Sequence, residues 1–372
     1  MNSEALVHLS SWNPNDIRPL FASLSPQSLQ VESALIGTTP CSLFVDSVES
    51  PTAAALAIEP VWAVVGNPRR EFLRAINQRF SRDSYSVLHL DPSFTLGQHA
   101  VLFEDLYFVC ARSRYAERTS SEPIRIPLPS PYALVPIDQD LLASNVEGVD
   151  DLRDSIIRDW RTQESYEAQG FGFAALLDQE IVSHSMTDYV CGDRCEIGVE
   201  TSPEHRLKGL GAAVAARTAN AVFDRGLRCV GWMSWATNLG SIAVSKRAGF
   251  IETHEYDVYI NHWPAENPEN LSTEAYRAFA EDYEQRFDEH PPVSSGYPYL
   301  VAATAWALAG KGQRCRDQLH RAIDIGWLKT MDQLRELWPE LFLVPGILEA
   351  PRWSAILSRL ARSTDSNDGV GS

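Results

Sequence analysis

Positive charge is scarce in this sequence. Its 372 residues contain 32 Lys and Arg against 49 Asp and Glu, which gives a formal net charge of −17. Binding to nucleic acid or to an anionic membrane requires a basic surface. We therefore expect neither as a main partner, whereas a cationic substrate such as an amine suits an acidic protein.

Long apolar runs and regular cysteine spacing are also absent. The best apolar run, residues 53–66, is too short for a membrane helix and is interrupted by Glu59 and Pro60. The first residues lack the basic and apolar segments of a signal peptide. The six cysteines form no disulfide framework, and Cys191-x-x-x-Cys195 has no second Cys/His pair to complete a zinc site. These observations predict a cytoplasmic protein without a structural metal.

The length predicts two or three domains. Residues 1–127 have the pattern of an α/β lobe, and the four prolines within residues 120–131 indicate a linker. The predicted elements of this lobe are strands at 42–46, 53–65, 86–90 and 102–110 and a helix at 68–80. It contains no phosphate-binding loop, so we expect it to have a structural role.

Residues 128–264 form the second predicted domain. The predicted order is a strand at 132–137, helices within 139–168, a hairpin of 171–177 and 180–190, a strand at 196–201, a helix at 211–225, a strand at 228–235, a helix and a final strand at 250–260. The third predicted domain, 265–372, is helical, with helices at 273–289, 299–309 and 313–325, a helical cap at 327–361 and a disordered tail.

A glycine-bearing turn between a strand and a helix is the most informative local feature. It reads Arg206-Leu207-Lys208-Gly209-Leu210-Gly211, and glycines there allow close approach of a ligand to backbone amides. Those amides, with the helix N-terminus, can bind a phosphate or pyrophosphate. The turn lacks the Gly-Lys-Ser/Thr of a P-loop and the third glycine and distal acid of a dinucleotide fingerprint. Alone, it is equally compatible with a plain strand–helix corner.

The downstream sequence decides between these interpretations. Asn238 and Ser241 follow a buried strand, and Gly249-Phe250 ends the next helix. With the glycine turn, this block resembles the GNAT N-acyltransferase family over residues 196–260. Glu-Ile-Gly-Val-x-Thr, Lys-Gly-Leu-Gly, Trp-x-x-Asn-x-x-Ser and Ala-Gly-Phe resemble more narrowly a bacterial subgroup that includes aminopolyol-antibiotic self-resistance acetyltransferases.

The resemblance implies an α/β GNAT fold with a mixed, mostly antiparallel, splayed sheet. It implies an N-terminal GNAT-like lobe without cofactor. Helices 299–309 and 313–325 resemble a tetratricopeptide-like hairpin, which implies a helical C-terminal domain.

Acetyl-CoA is the co-substrate that the GNAT resemblance implies. The strand at 197–201 would splay from its neighbour, and Val199, Glu200 and Thr201 would line the pantetheine arm. The loop from Arg206 through Leu207, Lys208, Gly209, Leu210 and Gly211 to Ala212 would hold the pyrophosphate. Asn238 and Ser241 would contact the cofactor, although helix capping alone also explains Asn238.

Acid–base roles are less determined by the sequence. Glu196 is the first choice for a water-assisted general base and Glu200 the second, since both face one side of the strand; surface glutamates are the alternative. His184 is a further candidate at the border of the substrate cleft. The tyrosine that serves as general acid in many family members is replaced here by Ser245, so Ser241, Tyr259 or water would protonate the thiolate.

The resulting expectation is direct transfer of acetyl from acetyl-CoA to a primary amine of a small molecule. Two alternatives remain open at this point. The chain could be a non-catalytic acyl-CoA sensor, or it could acetylate a protein that is recruited through residues 265–362.

Overall fold

The computed structural model describes residues 6–24, 29–58, 60–80, 86–103, 109–236, 238–260, 272–289, 297–325 and 328. Its strands are β1 (Val7–Leu9), β2 (Ser42–Val45), β3 (Ala53–Ile58), β4 (Val61–Gly66), β5 (Val87–Leu90), β6 (Val109–Arg118), β7 (Ala133–Pro136), β8 (Gly172–Leu177), β9 (Glu180–Cys191), β10 (Arg194–Thr201), β11 (Cys229–Trp235) and β12 (Ile251–Ile260). Its helices are α1 (Pro14–Ile17), α2 (Leu29–Leu35), α3 (Arg70–Asn77), α4 (Leu96–Leu102), α5 (Gln139–Leu142), α6 (Val149–Trp160), α7 (Gln163–Gln169), α8 (Leu210–Asp224), α9 (Leu239–Arg247), α10 (Thr273–Glu289), α11 (Tyr297–Leu308) and α12 (Gly312–Asp324). Two short 3₁₀ segments, Arg18–Leu24 and Pro203–His205, complete the described elements.

The described strands form one mixed sheet in the order β1-β2-β3-β4-β5-β12-β6-β11-β10-β9-β8-β7. Two neighbouring pairs, β4–β5 and β10–β11, are parallel. The other pairs whose register is resolved are antiparallel. The predicted α/β class with a mixed, mostly antiparallel sheet is therefore confirmed.

Strands β6 and β12 are interleaved in the middle of this sheet. β12 lies between β5 and β6, and β6 lies between β12 and β11. Arg114 on β6 also forms a 2.7 Å ion pair with Glu255 on the neighbouring strand β12. A strand that precedes the proline-rich segment thus completes the sheet next to strands that follow it.

Two predicted strands in the first 127 residues were wrong in extent. The segment 53–65, predicted as one strand, is the antiparallel hairpin of β3 and β4, with Ala53 opposite Gly66. Pro60 cannot donate to a ladder, so the chain turns there. Leu102, predicted to begin a strand, is the last residue of α4.

The buried apolar residues lie mainly on the strands and on helix α8. One core, built from α2, β2, β3 and β4, includes Leu35, Leu43, Leu56 and Val65. A second core packs the alanine-rich face of α8 against β10 and β11. Eleven of the residues of α8 are buried, including both Gly211 and Ala212 in its first turn. The start of α8 is therefore held firmly against the strand that precedes it.

Two compact units divide the chain: residues 1–76, 86–94 and 112–258 form one, and residues 77–85, 95–111 and 259–372 form the other. The second unit contains α4, α10, α11 and α12, and α10 has the predicted bounds 273–289. Within it, Glu284 accepts hydrogen bonds from Trp306 Nε1 at 2.9 Å and Gln318 Nε2 at 2.7 Å. The predicted cap at 327–361 and the tail lie outside the described residues, apart from Leu328.

Candidate active site

The parallel strands β10 and β11 pair over only three positions and then separate. Their register runs from Arg194 opposite Cys229 to Glu196 opposite Gly231. Beyond that point β10 pairs only with β9, and β11 pairs with β6 as far as Trp235. The two strands therefore open a wedge at Glu196 and Gly231. Val199, Glu200 and Thr201 lie on the β10 edge of this wedge.

The glycine turn ends directly at the N-terminus of α8. Gly209 is the N-cap residue with φ of +85°, and Leu207 has φ of +61°. A positive φ is rare in residues other than glycine, and such residues are concentrated at functional sites. Gly209 has no side chain to cap the helix. The amides of Leu210, Gly211 and Ala212 are thus available to an anion.

The start of α8 lies close to β10, because Gly211 has no side chain. A Cβ on Gly211 would lie 3.1 Å from Oγ1 of Thr201, which is tighter than ordinary contact. Nε of Arg206 donates to the carbonyl oxygen of Thr201 at 3.1 Å, and Nζ of Lys208 donates to the carbonyl oxygen of Glu204 at 2.9 Å. Both cations therefore brace the turn itself, while the side chain of Leu207 is fully exposed.

A third cation near the turn was missed from the sequence. The guanidinium nitrogens of Arg247 lie 3.9 Å from the position that a Cβ would take on Gly209. Arg247 is the last residue of α9, whose first turn carries Ser241. The basic pair Lys246-Arg247 was the only sequence signal for it, and a basic end of a helix is common.

Asn238 caps α9, as the simpler interpretation of this residue predicts. Its Oδ1 accepts a hydrogen bond from the amide of Ser241 at 3.0 Å. Oγ of Ser241 in turn accepts from Nε1 of Trp232 at 3.0 Å. Ser245 is buried, and its hydroxyl donates to the carbonyl of Ile242 within the same helix. Among the described residues, the Ser245 hydroxyl has an acceptor in its own helix, whereas none is seen for the Ser241 hydroxyl.

Glu196 lies where the wedge begins and is nearly buried, with 8% of its surface exposed. Its Oε1 accepts hydrogen bonds from the hydroxyl of Tyr115 at 3.0 Å and from the amide of Leu29 at 3.2 Å. Burial raises the pKa of the Glu196 carboxyl to about 7, although these two donors and the charge of Arg194 act in the opposite direction. A carboxyl with this pKa can accept a proton near neutral pH.

The other predicted acid–base residues have different surroundings. Glu200 is exposed on β10, opposite His184 on β9. Burial lowers the pKa of the His184 imidazole, although the charge of Glu200 acts in the opposite direction. Tyr259 belongs to the second unit, where its ring packs against His99 and Phe103 with centroids 5.1 Å apart in each case.

A β-bulge adds an acidic group to the face that carries Glu196. The register of β9 slips between Tyr189, opposite Glu196, and Thr187, opposite Ile197, so Asp188 is the extra residue. The half-buried Asp188 carboxylate accepts a hydrogen bond from the amide of Gly198. Burial raises its pKa well above the ordinary value, and the charges of Asp159 and Glu196 add to this effect. Strand periodicity cannot reveal this residue, because a bulge breaks the alternation of faces.

Among the described ranges, no group of three or more His, Cys, Asp and Glu side chains is arranged to hold a metal ion. None of the helices in the described part of the chain combines the length and the apolar character needed to cross a membrane.

Comparisons with known proteins agree with this geometry. The uncharacterized N-acetyltransferase YdfB of Bacillus subtilis (strain 168) is 26% identical over 236 residues, which cover 62% of this chain and 88% of YdfB. The crystal structure of a GCN5-related N-acetyltransferase-like protein from Streptococcus suis 89/1591 superposes with a TM-score of 0.53 at 22% identity, and the match covers 66% of this chain and 97% of that one. A family model described as GNAT acetyltransferase matches residues 18–259, more than half of the chain. The chain therefore belongs to the GNAT acetyltransferase family.

Proposed function

We propose that this protein transfers an acetyl group from acetyl-CoA directly to a primary amine of a small molecule, with Glu196 as the base. The observation that carries the proposal is the position of Glu196. It is a buried carboxyl with a pKa near 7 at the point where β10 and β11 separate. Proton acceptors of this kind are suited to deprotonating an amine near neutral pH.

The residues around the wedge fit acetyl-CoA. The uncapped amides of Leu210, Gly211 and Ala212 suit a pyrophosphate, and the exposed guanidinium of Arg247 lies beside the same turn. None of the described strands pairs with the β10 edge at Val199, Glu200 and Thr201 on the wedge side. When bound, acetyl-CoA supplies the acetyl thioester.

Two side chains, those of Glu196 and Ser241, carry out the proton transfers in this proposal. Glu196 accepts a proton from the ammonium form of the acceptor, so that the neutral amine can attack the thioester carbonyl. The hydroxyl of Ser241, which accepts a hydrogen bond from Trp232 and retains its own proton, is the candidate donor to the departing thiolate. No cysteine or serine nucleophile is needed, and ternary-complex kinetics are expected.

Charge around Glu196 favours a cationic acceptor. The charges of Asp159 and Glu196 both act on Asp188. Two arginines act on these carboxyls, and each already has an acidic partner: Arg158 pairs with Asp159 at 3.1 Å, and Arg194 pairs with Glu117. A protonated amine entering this region meets more acidic groups than basic ones.

Thiol release with acetyl-CoA and a panel of primary amines tests the proposal. Comparison of Glu196→Gln with Glu200→Gln identifies the base, because each substitution removes one candidate carboxylate at nearly constant volume. We expect kcat/KM to fall by about 10²–10⁴-fold in Glu196→Gln and by less than tenfold in Glu200→Gln. The reverse order would assign the role to Glu200. Failure of every amine in the panel, despite binding of acetyl-CoA, would contradict the enzymatic proposal.

A further inference from the structure

Both hydrogen bonds to the Glu196 carboxylate come from the first 127 residues of the chain. The amide of Leu29 lies at the start of α2, and the hydroxyl of Tyr115 lies on β6. A segment that the sequence alone predicts to be structural therefore touches the candidate base at two points.

The two donors share one oxygen. Both reach Oε1 of Glu196, and none of the described residues donates a hydrogen bond to Oε2. Tyr115 is fully buried, and burial together with the neighbouring Glu196 charge raises the pKa of its hydroxyl, so it stays protonated and acts as the donor. The described residues thus hold the carboxylate through Oε1 alone.

Tyr115 and Glu196 meet in the space that is free because Gly231 has no side chain. A Cβ at Gly231 would lie 2.1 Å from the hydroxyl oxygen of Tyr115 and 2.9 Å from Cγ of Glu196. Glycine inside a strand weakens the strand and often marks a close approach of other groups. Here the approaching groups are the phenol and the carboxylate.

We infer that Tyr115 is a positioning residue for the reaction: it holds Oε1 of Glu196 so that Oε2 faces the acceptor amine. The inference rests on the proposed function, in which Glu196 is the base. It also gives the N-terminal segment a part in catalysis, although that segment carries no phosphate loop.

Substitution of Tyr115 by Phe tests this role, because the ring stays in the core and only the hydroxyl is lost. The matched control is Tyr166→Phe, since Tyr166 is also fully buried and its hydroxyl has no hydrogen-bond partner among the described residues. Other titratable or charged groups that interact with Glu196 are unchanged in both variants; they include Arg194, Glu117, Asp188, Tyr189, Cys191 and Tyr256.

Two readouts are needed, one of which does not depend on activity. Carbon-13 NMR of labelled glutamate side chains follows the titration of Glu196, whose midpoint near pH 7 in the wild type should rise in Tyr115→Phe and stay in place in Tyr166→Phe. The acidic limb of kcat/KM should move with it. A tenfold change in proton affinity lowers the rate about tenfold at pH 6 and has little effect at pH 9.

The outcomes separate this inference from the proposed function. An unchanged Glu196 titration in Tyr115→Phe, in an enzyme that Glu196→Gln inactivates, overturns the positioning role alone. A shifted titration with an unmoved rate profile also overturns it, because the hydrogen bond would then not serve catalysis. Full activity of Glu196→Gln removes the base from the proposed function, and the positioning role with it.

Discussion

A side chain on Gly231 would collide with Tyr115, because an ideal Cβ at residue 231 would lie only 2.1 Å from the Tyr115 hydroxyl oxygen and 2.8 Å from Cζ. The two residues lie on the adjacent strands β11 and β6, which pair antiparallel. The phenol therefore occupies the volume that a side chain would fill on any other residue. Gly231 is required by its neighbour rather than by its own backbone conformation.

Gly231→Ala should destabilise the protein by about 1–3 kcal/mol, the usual cost of forcing extra volume into a packed core. The double variant Tyr115→Phe/Gly231→Ala should lose less unfolding free energy than the two single variants lose in sum, because removal of the hydroxyl relieves the closest contact. Urea unfolding measures these differences. Gly240→Ala is the control, since a Cβ there would meet its nearest atom at 3.5 Å. Equal stability of wild type and Gly231→Ala would show that the phenol can move aside.

Glu196→Gln should increase the free energy of unfolding at pH 8. In the folded protein the pKa of Glu196 is raised from 4.5 to about 7, so the folded state binds the proton more tightly than the unfolded state does. Stability from this group therefore decreases as the pH rises from about 4.5 to about 7, by at most about 3 kcal/mol. Gln at position 196 does not titrate, so the variant does not lose this part of the unfolding free energy. Denaturant unfolding at pH 5 and pH 8 should show a stabilisation that is larger at pH 8; a gain independent of pH would contradict the raised pKa.

Gly209→Trp should abolish binding of CoA. Gly209 has φ of +85°, which a tryptophan adopts only with strain, and its side chain would project at the turn whose amides we propose to bind the pyrophosphate. Gly226→Trp is a matched control, because Gly226 has φ of +82°, has open space around it and follows the opposite end of α8. Calorimetric titration with CoA should detect binding in the control only. Binding by Gly209→Trp would refute the assignment of the turn.

Arg247→Ala should weaken CoA binding by about five- to tenfold, because we propose that the Arg247 charge attracts a cofactor phosphate across solvent. The loss should shrink at high salt, where such interactions are screened. Arg228→Ala is the control: Arg228 is an exposed arginine whose ion pair is with Asp193 at 3.9 Å. Titration with CoA and with dephospho-CoA at two salt concentrations gives the comparison. Equal affinities of wild type and Arg247→Ala would exclude a contact with the cofactor.

Local signals predicted the elements around the turn well. The helix predicted at 211–225 is α8 at Leu210–Asp224, and the hairpin predicted at 171–177 and 180–190 is β8 and β9. These segments combine strong periodicity with glycine or a turn at their ends, so neighbouring residues suffice to define them. The wedge between β10 and β11 was implied by the family resemblance, and the register confirms it.

Groups that meet across long sequence distances were not predictable. Tyr115 lies 81 positions before Glu196, and nothing in the residues around Tyr115 indicates which strand β6 joins. Asp188 depends on a bulge, and Arg247 depends on the angle at which α9 returns to the turn. In each case the position is set by tertiary pairing, which local propensity does not encode.

The interleaving of β6 and β12 also constrains how the chain can fold. β5 is complete early in synthesis, but its outer neighbour β12 consists of residues 251–260. At typical rates of translation the open edge of β5 waits on the order of ten seconds or more for that strand. During this time it presents unpaired backbone groups to other chains. This strand order therefore leaves the β5 edge of the nascent chain open to other chains until β12 has been made.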